Sequence, residues 1–127
     1  MTTDAPKPRL LVIDDEAMVC ELVVDVARSA GYDAQSASTP ADIGAMTAQS
    51  FDLAVVDLHL GGVDALDVLS RLAALGSCHR VLLITGSGGT VADHAASWAR
   101  SRGLDVAAFL HKPVEIASLR QLLRDLA

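Results

Sequence analysis

The segment LAVVDLHLGG at residues 53–62 decides the reading of this chain. Leu53, Ala54, Val55 and Val56 suit a strand buried on both faces. They deliver one carboxylate, Asp57, before the chain turns through Gly61 and Gly62. An ionised carboxylate at the end of a hydrophobic strand is costly unless it is paired. A partner for it must come from elsewhere in the chain.

Similar apolar runs recur at RLLVI (9–13), VLLI (81–84) and VAAFL (106–110), with a more polar, edge-like alternation in DAQSA (33–37). Between them lie apolar stripes at helical spacing: Val19, Leu22, Val23 and Val26, then Leu66, Leu69, Leu72 and Leu75, then Ile116, Leu119, Leu122, Leu123 and Leu126. Thr39 is placed to cap a helix with Pro40 at its first position and Asp42 in its first turn. Asp64 is placed to cap the helix that begins at Ala65. Gly31, Gly76 and Gly103 each follow a helical pattern, where a left-handed residue closes the helix. The strand–helix unit thus occurs five times. Right-handed crossovers turn that order into an α/β class fold: a doubly wound, five-stranded parallel sheet with five helices in a three-layer sandwich.

The 127 residues suffice for one domain with a real core, and 51% hydrophobic against 20% charged residues describes a globular chain. Residues 1–8 read as a flexible polar tail and 9–127 as the domain. The net charge of −6 argues against a nucleic-acid partner, which clustered Lys and Arg would hold. No apolar run is long enough for a membrane span and no signal peptide is legible, so the expected location is cytoplasmic. Cys20 and Cys78 lack metal-ligand spacing, and the four histidines are scattered.

In a doubly wound sheet the carboxyl ends of the strands form the ligand site. There the first strand delivers Asp14 and Asp15, followed by Glu16. The third delivers Asp57, the fourth Thr85 and the fifth Lys112. Clustered carboxylates repel one another until a cation joins them, and oxygen ligands of this kind suit Mg²⁺. One carboxylate–ammonium pair at about 4 Å is worth roughly 4 kcal/mol at an effective dielectric near 20, before desolvation. A cation and a lysine beside Asp57 would stabilise a transferring phosphoryl group with Asp57 as nucleophile. The chain has eight arginines and two lysines, and Lys7 lies in the tail. Keeping a compact ammonium at 112 fits a point-charge role. Taken singly, each residue has a plainer reading: a helix cap for Asp14 or Asp15, a loop hydroxyl for Thr85, a solvated strand end for Lys112.

Together, LLVIDDE, VVDLHLGGVDALDVL, LLITG and FLHKPVE resemble the response regulator receiver domain of bacterial two-component signalling, over residues 9–126. The resemblance implies the flavodoxin-like strand order 2-1-3-4-5 and that Asp57 is the phosphoacceptor. It implies that Asp14, Asp15, Asp57 and the backbone carbonyl of His59 hold Mg²⁺, and that Lys112 pairs with the phosphoryl group. It also implies that Thr85 and Phe109 are the switch pair, remodelling the face of helix 4, strand 5 and helix 5. The implied partners are a sensor histidine kinase or histidine phosphotransfer protein upstream and a protein target or output domain downstream. The implied chemistry is not that of an enzyme acting on other molecules; it is limited to the chain's own phosphorylation and dephosphorylation. His59 and Ser87 stand where acyl-phosphate hydrolysis is modulated, and Gly86 stands where a small residue keeps access open.

The departures from the family pattern are Gly61 in place of its usual proline and Ala65 in place of its usual glycine. The stretch from Thr85 to Lys112 is also longer, by about one helical turn. GSGG (86–89) lacks the Lys and Ser/Thr of a phosphate-binding loop and reads as a flexible lead into helix 4. On that helix Val91, Ala95, Trp98 and Arg102 share a side, and Trp98 reads either as core or as an interface anchor. The rival functions are a phosphorylation-independent binding module and an aspartate-nucleophile phosphatase. For the second, IDDEA at the first strand is a poor D-x-D motif.

Overall fold

The computed structural model describes residues 6–61, 64–86 and 90–127. Among the described residues ten elements alternate: β1 (Arg9–Ile13), α1 (Ala17–Ser29), β2 (Asp33–Ala37), α2 (Pro40–Met46), β3 (Leu53–Asp57), α3 (Ala65–Leu75), β4 (Arg80–Thr85), α4 (Thr90–Ser101), β5 (Asp105–His111) and α5 (Ile116–Leu126). The strands form one parallel sheet in the order β2-β1-β3-β4-β5. The flavodoxin-like arrangement expected from the sequence is the one observed.

The two-residue period of the strands sorts their side chains onto two faces. Leu11, Ile13, Val56 and Leu83 pack with Ile43 of α2, Leu69 and Leu72 of α3, and the alanines of α4. Leu10, Val12, Val55 and Ile84 pack with Val23 and Ala27 of α1 and with Leu119 and Leu123 of α5. All five residues of β3 are buried, Asp57 included, so the central strand carries its carboxylate into the core's upper edge. Between β4 and β5 the register slips at Val81/Leu82, which lets β5 run out to His111 opposite Thr85.

The capping expectations hold. Thr39 accepts from the Asp42 amide, Asp64 accepts from the Leu66 amide, and Gly31, Gly76 and Gly103 all have positive φ. Three residues of the apolar stripes do not reach the core. Leu75 is exposed where α3 ends at Gly76, Ile116 is exposed at the first position of α5, and Val91 is exposed near the start of α4. The buried stripe of α4 is instead Ala92, Ala95, Ala96 and Ala99. Of the expected N-terminal tail, residues 1–5 lie outside the described residues, and Pro8 accepts a hydrogen bond from the Asp33 amide at 2.9 Å.

Trp98 settles between its two sequence readings. The ring is half-buried against the core, and its Nε1–H donates to the Leu66 carbonyl at 3.1 Å and to Ser70 Oγ at 2.9 Å. The Arg102 guanidinium lies 3.5 Å from the ring centroid on the outer side. With alanines making the rest of the α4 contact, this indole is the large side chain that ties α4 to α3.

Candidate functional site

Asp57 ends β3 with 1% of its surface exposed, and Asp14, just past β1, is fully buried. Parallel pairing of β1 with β3 places the two strand ends side by side. Asp57 Oδ1 accepts from the His59 amide at 3.1 Å, and Asp14 Oδ1 accepts from the Glu16 amide at 2.9 Å. Each buried carboxylate therefore has one oxygen satisfied by the chain that turns away from it.

Lys112 meets the other oxygens. Its ammonium donates to Asp57 Oδ2 at 3.2 Å and to Glu16 Oε1 at 2.8 Å, and it lies 3.3 Å from Asp14 Oδ2. The Lys112 amide donates to the Thr85 carbonyl at 2.9 Å, so the ends of β4 and β5 are fastened where the lysine leaves. The bond from Lys112 to Pro113 is cis. Burial disfavours the ammonium's charge, but the hydrogen bond to Glu16 and the charges of Asp14 and Asp57 outweigh it and push the Lys112 pKa up.

Asp14 moves the other way. Burial pushes its carboxyl up to about 6, against the Glu16 amide, which favours the charged form; the neighbouring Asp57 charge adds to the rise. Its Oδ2 is buried without an aligned hydrogen bond, with the Lys112 ammonium as a nearby charge. Asp14, Asp15, Glu16 and Asp57 can each bring a carboxylate oxygen within 4.8 Å of the others. Asp14, Asp15 and Asp57, with a buried oxygen left unsatisfied, form a donor set suited to a hard divalent cation such as Mg²⁺, and Glu16 stands at the exposed rim of the same cluster.

Asp15 is exposed and accepts from the Gly61 amide at 2.9 Å. A Cβ at residue 61 would stand 2.9 Å from the same Asp15 oxygen. Where the family pattern has proline, Gly61 supplies an N–H that proline lacks, and that N–H holds the Asp15 carboxylate. Gly86 is exposed, and among the described residues a Cβ there would meet only the His59 ring, at 3.9 Å. Alanine would fit at that position.

The structure brings Asp14, Asp15, Asp57 and Lys112 together, with exposed His59 at the turn leaving Asp57. Thr85 is fully buried at the neighbouring strand end, since Ile84 pairs with Asp57 in the β3–β4 register. Phe109 is half-buried on β5 opposite Leu83, packed at the margin of the core. Ser87 lies outside the described residues. Glu16 was legible only as the third member of an acidic run, yet it is the closest carboxylate to Lys112. Position 16 could be joined to position 112 only through the fold.

Beside this pocket runs an apolar groove of about 680 Å³, lined by Met18, Val19 and Leu22 of α1 and by Pro113 and Val114 after β5, with Glu16 and Lys112 at its edge. Met18 is 82% exposed within it. Cys20 donates its thiol to the Asp14 carbonyl, and burial pushes its pKa up to about 11, as it does for Cys78. Neither is placed as a reactive thiolate.

Fold and site together define a doubly wound α/β domain whose strand ends present an acidic pocket bridged by one lysine. Residues 10–124 match the family described as the response regulator receiver domain, and the chain belongs to that family. It is 29% identical over 120 residues to the alginate biosynthesis transcriptional regulatory protein AlgB of Pseudomonas aeruginosa, covering 94% of this chain and 26% of that protein. The chain thus spans about a quarter of that relative's length. A response regulator from Colwellia psychrerythraea superposes with TM-score 0.81 at 23% identity, covering 95% of this chain and 97% of that one. A response regulator protein from Burkholderia pseudomallei, solved with a phosphorylated aspartic acid, a calcium ion and citrate, gives TM-score 0.71 at 26% identity, covering 91% and 66%. Among the described residues no helix is long and apolar enough to cross a membrane.

Proposed function

We propose that this receiver domain accepts a phosphoryl group on Asp57 from a histidine kinase or histidine phosphotransfer protein, and signals through the surface of α4, β5 and α5. The observation that carries the reading is the environment of Asp57: a buried carboxylate fixed at Oδ1 by the His59 amide and met at Oδ2 by Lys112, inside a four-carboxylate cluster. That the Burkholderia pseudomallei relative was solved with a phosphorylated aspartic acid and a divalent ion supports it.

A carboxylate oxygen of Asp57 attacks the phosphorus of an N-phosphohistidine. The P–N bond breaks, the imidazole leaves with the electron pair and takes a proton, and an acyl phosphate remains on Asp57. Asp14, Asp15 and Asp57, with the His59 carbonyl, would hold Mg²⁺, which when bound supplies positive charge to the phosphoryl oxygens. Lys112 contributes a second positive charge at one edge of the pocket, and Thr85, tied to Lys112 through the backbone, stands at the other. Phe109 on β5 couples that pair to the outer face. The groove beside the pocket offers the donor an apolar footing on α1 next to the reacting carboxylate. His59 and Ser87 adjust how long the acyl phosphate survives.

Intact-protein mass spectrometry after incubation with acetyl phosphate tests the reading. A single phosphoryl adduct is expected with Mg²⁺ present, and none with chelator or in Asp57→Ala. A parent protein that stays unmodified while retaining its fold would favour a phosphorylation-independent binding module.

A further inference from the structure

Among the described residues Lys112 has three carboxylate partners of unequal standing. Asp14 and Asp57 are buried, with side chains 0% and 1% exposed, whereas the Glu16 side chain is 61% exposed at the pocket rim. Yet the shortest contact, 2.8 Å, is to Glu16. The ammonium spends aligned N–H donors on Glu16 and Asp57, while its contact to Asp14 Oδ2, at 3.3 Å, is the longest of the three and is not an aligned hydrogen bond. Glu16 therefore draws the lysine outward, at the expense of the deepest carboxylate. A phosphoryl group on Asp57 brings new anionic oxygens into the same space and competes for the same ammonium. Glu16 opposes them twice: it occupies a donor of Lys112, and its own negative charge faces the arriving anion.

We propose that Glu16 is a positioning residue that parks Lys112 at the pocket rim and thereby weakens the pocket's hold on a phosphoryl group at Asp57. The inference rests on the receiver reading above and concerns how firmly the modified state is gripped. Removing the charge should tighten binding of a phosphoryl mimic, whereas losing a merely structural contact would weaken it.

The experiment is isothermal titration calorimetry of the whole chain and of Glu16→Gln, first with Mg²⁺ alone and then with beryllofluoride at saturating Mg²⁺. Glutamine keeps the length and an acceptor oxygen, and at so exposed a position the variant keeps the fold. The expected result is beryllofluoride affinity raised about two- to fivefold, the scale of an exposed charge pair, with Mg²⁺ affinity changed less than about threefold. Equal or weaker beryllofluoride binding in the variant would overturn the proposal. A roughly tenfold loss of Mg²⁺ affinity would also overturn it, because Glu16 would then be acting as a metal ligand. Failure of the parent itself to bind beryllofluoride would overturn the receiver reading and this proposal with it.

Discussion

The backbone amide of Lys112 donates to the carbonyl of Thr85 at 2.9 Å, so the cationic and hydroxyl-bearing positions of the pocket are set by one inter-strand bond. The lysine side chain then spans from β5 past β4 to Asp57 at the end of β3. Geometry at this edge belongs to the sheet register, with Asp57 ending β3, while Asp14, Asp15, Glu16 and Lys112 come from the segments that follow β1 and β5. Stability and chemistry should accordingly respond differently to substitution here.

Asp14 is the clearest case. Its carboxyl stays protonated up to about pH 6 in the folded protein and up to about 3.9 in the unfolded chain. Between those values the folded state binds more protons, so metal-free stability falls as pH rises from about 4 to 6 and stays lower above. Asp14→Asn should be more stable than the parent by about 1–3 kcal/mol at pH 7.5 in chelator, with the gap closing below about pH 4. Urea denaturation across pH checks this, and an Asn variant less stable at pH 7.5 would contradict it.

Gly61 tests how Asp15 is held. Gly61→Ala places a methyl group against the Asp15 carboxylate, which must swing away from the amide that orients it. Mg²⁺ affinity should fall about three- to tenfold while stability changes by less than about 0.5 kcal/mol, as at other surface sites. Calorimetric titration with Mg²⁺, beside a thermal melt, separates the two effects. Unchanged Mg²⁺ affinity would remove Asp15 from the ion's ligand set.

Trp98 ties α4 to α3 through its indole N–H. Trp98→Phe keeps an aromatic ring and removes the donor, and should cost about 1 kcal/mol. Hydrogen exchange in α4 should accelerate more than in α1 or α5. Equal exchange in all three helices would show that the alanine face alone holds α4.

Met18 tests the proposed docking of a protein donor on the α1 groove. Met18→Asp puts a charge in the apolar groove without touching the carboxylates. Transfer from a histidine phosphotransfer protein that labels the parent should slow about tenfold, equivalent to about 1.4 kcal/mol. Labelling by acetyl phosphate should stay within about twofold. Equal slowing with both donors would place the effect in the pocket and not in docking.

Much of this molecule is legible in its residues. Near-continuous apolar runs such as LLVI and LAVV can be buried only on both faces of a parallel sheet, and glycines at 31, 76 and 103 stop helices for a local reason. The acids and the lysine are found by asking where those strands end. What stayed hidden depends on distance across the fold. Nothing local tells that Glu16 contacts Lys112, or that Gly61 serves Asp15. Stripe ends such as Leu75 and Ile116 keep helical spacing but run past the edge of the core, because periodicity carries no information about where the sheet beneath them stops.

Locating the modification is the most direct test of Asp57 as phosphoacceptor. Protein treated with acetyl phosphate and Mg²⁺ is reduced with borohydride, which converts an aspartyl phosphate to homoserine, and its peptides are sequenced by mass spectrometry. Homoserine is expected at position 57, with aspartate intact at 14, 15 and 64. Conversion at another carboxylate, or aspartate intact at 57 in protein that carries the phosphoryl mass, would contradict the assignment.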